Sequence, residues 1–259
     1  MSNIKTIVAS ALALTIAAAA VADPKDTLPG KVIVKGIRGS CQYQLGDSWA
    51  PVKVNMEFRP GVVFRTGSKS EMEMSVNGLT SALRLEPDTI LAIPVMARAD
   101  ATRNASTETI LDLRGGAVLG DLMKLSVNSR YEIKTPHGVA GFRTHADFHV
   151  IAALQSDGHY DVTFTSVAGQ MLVSAQAMPG GPQIVKTLKE GRSWTPGEGD
   201  VHRASGDLLK QYQYAFTGAA PPSGPVPVLG PIVVDPFPAG AQPMVSDSAA
   251  VLGRGNSKK

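Results

Sequence analysis

The segment His145-Ala146-Asp147-Phe148-His149 carries the side chains of this chain best suited to chemistry. Imidazole nitrogens and carboxylate oxygens are ligands for zinc, copper or nickel, and here the polar residues recur at every second position. On an extended strand that spacing places His145, Asp147 and His149 on one side, leaving Ala146, Phe148 and Val150 on the other. They form a candidate three-ligand metal set for a divalent transition metal, and no other cofactor is expected. Successive same-face residues stand ~7 Å apart along a strand, so all three meet one ion only through a bulge or turn. His145 and Asp147 joined by a distant His137 or His159 is an easier geometry. A solvated polar face explains the same alternation without an ion.

Other candidates for catalysis are weaker. Glu71 and Glu73 share one strand face, but their side chains would flank a bond rather than face each other across it. Serines are abundant without a nucleophile-elbow pattern, and Thr66-Gly67-Ser68 lacks the Gly-Lys-Thr that would follow in a phosphate loop. Cys41 is the sole cysteine, so no internal disulfide can form, and it reads as a small buried hydrophobe at a strand end. The chain is therefore expected not to be an enzyme. Lys and Arg number 25 against 22 Asp and Glu, interspersed and without a basic stripe, which argues against nucleic acid as a partner. Seven Phe, five Tyr and two Trp are few for recognition by stacking.

The elements that must position these residues are strands. From Lys31 to about Val201 the chain alternates short apolar or β-branched runs with Gly, Pro, Asn and Asp, which predicts an elongated antiparallel all-β domain over residues 31–200. In Glu71-Met72-Glu73-Met74-Ser75-Val76 the methionines and valine face inward, and Asn77-Gly78 then makes a hairpin turn to a strand whose buried face is Leu83 and Leu85. Thr109 to Leu113 and Ala117 to Asp121 read as two strands, as do Tyr160 to Ser166 and Gln170 to Ser174. Thr135-Pro136-His137-Gly138 is a rigid turn, with Pro136 fixing φ and Arg143 beyond it free to reach a carboxylate or turn carbonyls. One short amphipathic helix follows within 201–217, capped by Ser205 and carrying Leu208, Leu209, Tyr212 and Phe216 on one flank.

The two ends differ in kind. Lys5, the apolar run Ile7 to Val21 and Ala20-Val21-Ala22 predict a signal peptide over 1–22, followed by a short polar leader over 23–30. The run is short beside the ~20 residues of a spanning helix, and no membrane-spanning segment is expected in the mature chain. Eight of the eighteen prolines fall between Pro221 and Pro243, so 218–259 reads as a disordered or surface-docked tail. Within it, Ile232-Val233-Val234 is a candidate binding segment.

The order of Gly46 to Trp49, Pro60-Gly61, Arg65-Thr66-Gly67-Ser68-Lys69-Ser70, Leu113-Arg114-Gly115-Gly116 and Thr135-Pro136-His137-Gly138-Val139-Ala140 resembles the FecR-type domain. Gly169-Gln170 to Val173 and Glu190-Gly191 fit its closing strands, so the likeness runs from Lys31 to Pro196. It departs at Phe142 to Val150, where the family's Arg-Gly-Thr-x-Phe-x-Val loses its glycine and gains a residue. The resemblance implies a noncatalytic β-scaffold of the bacterial periplasm or cell surface. In the best-known members the domain senses an outer-membrane receptor and relays its state through a membrane segment to a sigma factor. That relay is not implied here, since neither the cytoplasmic region nor a mid-chain membrane helix is present. The expected function is an exported interaction or scaffold module that binds an envelope protein or itself; the alternative is a periplasmic module for a small ligand or metal.

Overall fold

The computed structural model describes residues 27–99, 105–123, 125–126 and 128–217. The signal-peptide reading at 1–22 and the Pro-rich tail at 218–259, including Ile232-Val233-Val234, lie outside the described residues. The chain is all-β with one short helix. Its first strands are β1 (Leu28–Pro29), β2 (Val32–Arg38), β3 (Cys41–Gln44), β4 (Trp49–Pro51), β5 (Glu57–Phe58), β6 (Val62–Thr66), β7 (Glu71–Val76), β8 (Thr80–Leu85) and β9 (Ile90–Arg98). Then come β10 (Thr107–Leu122), β11 (Arg130–Thr135), β12 (Gly138–Phe142), β13 (Ala146–Leu154), β14 (Tyr160–Gln176), β15 (Gln183–Lys189), β16 (Arg192–Trp194), β17 (His202–Arg203) and helix α1 (Gly206–Thr217).

Two long strands organise the rest. The first half of β10 pairs with β9 and, in parallel, with β11; its second half pairs with β8 and β13. Strand β14 does the same, holding β13 and β16 with one half and β12 and β15 with the other. The ladder β10, β11, β12, β14, β13 and back to β10 closes into a barrel. On the other side of β10, strands β9, β6, β3 and β4 extend one sheet while β8, β7 and β2 extend the other. A single apolar core runs through both parts, with Met72, Met74, Leu83, Phe64 and Leu91 toward one end and Tyr131, Phe148, Phe164, Val173 and Trp194 toward the other, all essentially buried. Each such side chain contributes roughly 1.5–3 kcal/mol of burial.

The Gly-containing breaks that suggest separate strands are crossing points within continuous ones. At Gly115-Gly116, β10 leaves one sheet for the other, and Gly116 adopts φ +88°. A Cβ there would stand 2.4 Å from both Cα and Oγ1 of Thr89, so only glycine lets the strand pass. The Thr89 hydroxyl locks the crossing: it accepts from the Ala117 amide at 3.0 Å and donates to the Ala117 carbonyl at 3.1 Å. Thr66 in turn accepts from the Thr89 amide at 3.0 Å and donates to the Glu86 carbonyl at 2.6 Å. Gly169, at φ +71°, serves the same crossing in β14, where a Cβ would meet the His145 carbonyl at 2.4 Å.

Pro94 lies inside β9, where the residues alone read as a strand running from Thr89 only to Pro94. The register with β10 runs Val95 to Ile110 and then Ala92 to Asp112, so Ile93 and Pro94 oppose Leu111 alone. The proline therefore occupies a bulge, the place in a sheet where a missing N–H donor costs least. Asn77 and Gly78, at φ 55° and 67°, close the β7–β8 hairpin with the twist of a type I′ turn.

Replacing Gly116 with Ala is expected to lower stability by roughly 2–4 kcal/mol, because positive φ and collision with backbone act together. Gly158 has a similar φ of +86° with open space around its Cβ position, so Gly158→Ala should cost only about 1 kcal/mol. Thr89→Val should cost roughly 1–3 kcal/mol through the unsatisfied Ala117 groups. Urea unfolding of the three variants measures all of these.

Candidate functional site

The outward face of β13 carries Asp147 and His149, with Ala146, Phe148 and Val150 fully buried behind it. Alternation alone would treat the two polar residues alike. The structure separates them. His149 is buried, and its Nε2 lies 3.3 Å from a carboxylate oxygen of Glu86, which reaches over from the turn after β8. Asp147 instead sits directly across the β10–β13 ladder from Asp121. His145, at the entrance to β13, brings Nε2 to 3.7 Å from Asp147 Oδ1 and 4.0 Å from Asp121 Oδ1. One ligand atom from each of Asp121, His145 and Asp147 can be chosen so that all lie within 4.8 Å of one another. His137 stands in the β11–β12 turn and His159 pairs locally with Asp157 at 3.4 Å, so neither completes this cluster.

Local structure explains why these three meet. In the β10–β8 register Asp121 opposes Ala82 and Leu122 opposes Thr80, leaving Ser81 as an extra residue. On the other flank Asp147 opposes Ala168 and Phe148 opposes Ser166, leaving Val167 extra. Bulges on both sides twist the sheet and re-aim its outer side chains at this row. The row itself reads Ala82, Asp121, Asp147, Ala168, so two small residues flank the two carboxylates. The backbone of His145 is held by the close approach of Gly169.

Beneath the pair, the ring of Phe148 lies flush on Gly120, where a Cβ would come within 2.1 Å of Cζ. Above it comes α1. Ser205 caps this helix, accepting from the Leu208 amide at 3.1 Å, and Tyr212 is buried with its hydroxyl donating to the Gly120 carbonyl at 2.7 Å. The helix thus docks on the outer face of the sheet rather than at an edge, beside Asp147.

Electrostatics at the site are unfavourable as they stand. Burial raises the Asp147 carboxyl above its usual range and the Asp121 charge raises it further, while His145 and the Tyr212 hydroxyl pull it back. The Tyr212 phenol is raised by burial and then by Asp147. Asp147 Oδ1 is buried without a hydrogen-bond partner. Cys41, buried at the start of β3, has its thiol raised by burial and by Glu71, so it remains a protonated core residue and not a nucleophile.

Sequence reasoning missed Asp121 and Tyr212. The only signal for Asp121 was its place at the end of an apolar run directly after Gly120, and for Tyr212 its place on the apolar flank of the helix.

No family model matches the chain, and no curated protein matches it. A crystal structure described as that of a candidate anti-sigma factor from Parabacteroides distasonis superposes with a TM-score of 0.42 at 10% identity, covering 58% of this chain. The alignment spans 63% of that protein's own length, and a likeness this weak carries no argument.

Asp147→Asn removes the half-buried like-charge pair and is expected to stabilise the metal-free protein by up to about 1 kcal/mol at neutral pH. Tyr212→Phe should cost about 1 kcal/mol through loss of the bond to Gly120. Thermal and urea unfolding in the presence of a chelator check both signs.

Proposed function

We propose that this chain is a noncatalytic interaction module of the bacterial cell envelope that binds an extended segment of an envelope protein along the edge of β15. The observation that carries this reading is the state of that edge. Strand β15 pairs with β14 over its full length, and no second strand pairs with it among the described residues. Its outward residue Val185 is 62% exposed and Leu172 on β14 is 44% exposed, an apolar pair beside a long open edge. Within β15 the only charges are Lys186, which pairs with Asp200 at 3.2 Å, and Lys189, so the strand itself carries no acidic residue to repel an acidic partner strand. The opposite edge, β4, has three residues and ends in Pro51, which blunts it.

A small-ligand reading has less support. The shallow cleft between β1, β2 and the Asn77-Gly78 turn has a volume of about 240 Å³, below the roughly 300–1,000 Å³ of small-molecule pockets. No helix among the described residues is long and apolar enough to cross a membrane. Placement in the envelope rests on the leader pattern and the FecR-type resemblance, both features of sequence.

Leu172→Glu combined with Val185→Glu tests the proposal, since it removes the apolar pair and repels an acidic strand. Both sites are exposed, so stability should stay within about 0.5 kcal/mol. A photocrosslinker at Thr187, exposed on the same face of β15, should capture an extended acidic stretch of an envelope protein, and the double variant should reduce capture at least tenfold. Capture unaffected by the double variant would overturn the edge, and a homodimer in sedimentation that the double variant dissolves would replace the envelope partner with a second copy.

A further inference from the structure

The Asp121–His145–Asp147 cluster has a geometry that its own residues do not satisfy. Separations of 3.7 and 4.0 Å from His145 Nε2 to the two carboxylates are too long for hydrogen bonds. In a tetrahedral site with bonds of about 2.0–2.1 Å, ligand atoms lie about 3.3 Å apart, so small side-chain rotations would bring all three onto one ion. Two carboxylates facing each other across a ladder repel, and a divalent cation turns that repulsion into attraction. Tyr212 cannot do this, since its one phenolic proton is shared between the Gly120 carbonyl and Asp147 and cancels neither carboxylate charge. The buried, unbonded Oδ1 of Asp147 is left as an acceptor without a donor.

We propose that Asp121, His145 and Asp147 bind a divalent transition-metal ion, and that the bound ion fastens helix α1 to the sheet through Tyr212. An imidazole with two carboxylates suits zinc or its neighbours; calcium and magnesium require more oxygen ligands than this row supplies. His145, with more than half of its side chain exposed, gives the ion an entry path. A solvent molecule would complete the tetrahedron as fourth ligand. The coupling follows from contact: the Tyr212 hydroxyl bonds the Gly120 carbonyl, next to Asp121 in the ladder that faces Asp147, so an ion that ties the two carboxylates together orders the stretch of sheet on which the helix docks.

Zinc chloride titrated into the chelator-stripped full chain at neutral pH is expected to bind one ion per chain with micromolar affinity by calorimetry. Asp147→Asn and His145→Ala should each weaken binding at least tenfold, whereas a His137→Ala and His159→Ala double variant should not. Asp147→Asn is a folding-neutral or stabilising change, so its loss of binding would not reflect unfolding. Zinc should also slow amide exchange across Gly206–Thr217 at least tenfold in the parent protein and not in Asp147→Asn. Absence of micromolar binding, or binding untouched by both single variants, overturns the site. Binding that is lost in the variants but leaves exchange in α1 unchanged overturns the fastening.

Discussion

The double hydrogen bond between the Thr89 hydroxyl and Ala117 is the constraint on which the rest of the molecule depends. It fixes the one point where β10 can pass from sheet to sheet, and it works only because Gly116 has no side chain. If β10 stopped there, its second half would lose its place between β8 and β13, and the barrel would not close. Thr66 supports Thr89 from the neighbouring strand, so the crossing is held by a short buried chain of hydroxyls rather than by apolar contact alone. The remainder of the core can be ordinary alternating strand because this point is not.

The same crossing creates the outer-face chemistry. By carrying β10 into the second sheet, it brings Asp121 opposite Asp147, residues that no local turn could have joined. Bulges at Ser81 and Val167 then turn the row outward, and α1 lies over it. Two adjacent polar positions on one strand acquire different fates: Asp147 meets a like charge and a helix, whereas His149 is absorbed in a buried pair with Glu86. The difference lies in which neighbour each row supplies.

Strand faces were legible in the residues because period-two alternation is a local property. Met72, Met74 and Val76, Leu83 and Leu85, and Ala146, Phe148 and Val150 all point inward as their spacing implies. The Asn77-Gly78 turn was equally plain, since positive φ at two successive residues has few sequence solutions. Glycine at Gly116 and Gly169 misled for the same reason: a residue that permits a turn also permits a crossing, and only the long-range partners Thr89 and His145 decide between them. Pro94 misled similarly, because a bulge is defined by the strand opposite. At the candidate site, His145 and Asp147 could be paired by spacing, while Asp121 could be added only by knowing the register of β10 against β13.

The ladders shorten steadily toward the C-terminal end of the fold, and this gives the molecule a mechanical direction. Strand β14 spans 17 residues, β16 three and β17 two, and α1 follows, with the Tyr212 hydroxyl bonded to the Gly120 carbonyl. Tension applied beyond Thr217 would therefore meet weak attachments first and strong ones last. It would detach the helix, peel β17 and then β16, and meet the seven-residue ladder of β15 before the long strand whose two halves are anchored in different sheets. A load on that end would extend the chain in small, recoverable steps while the barrel behind it stays closed.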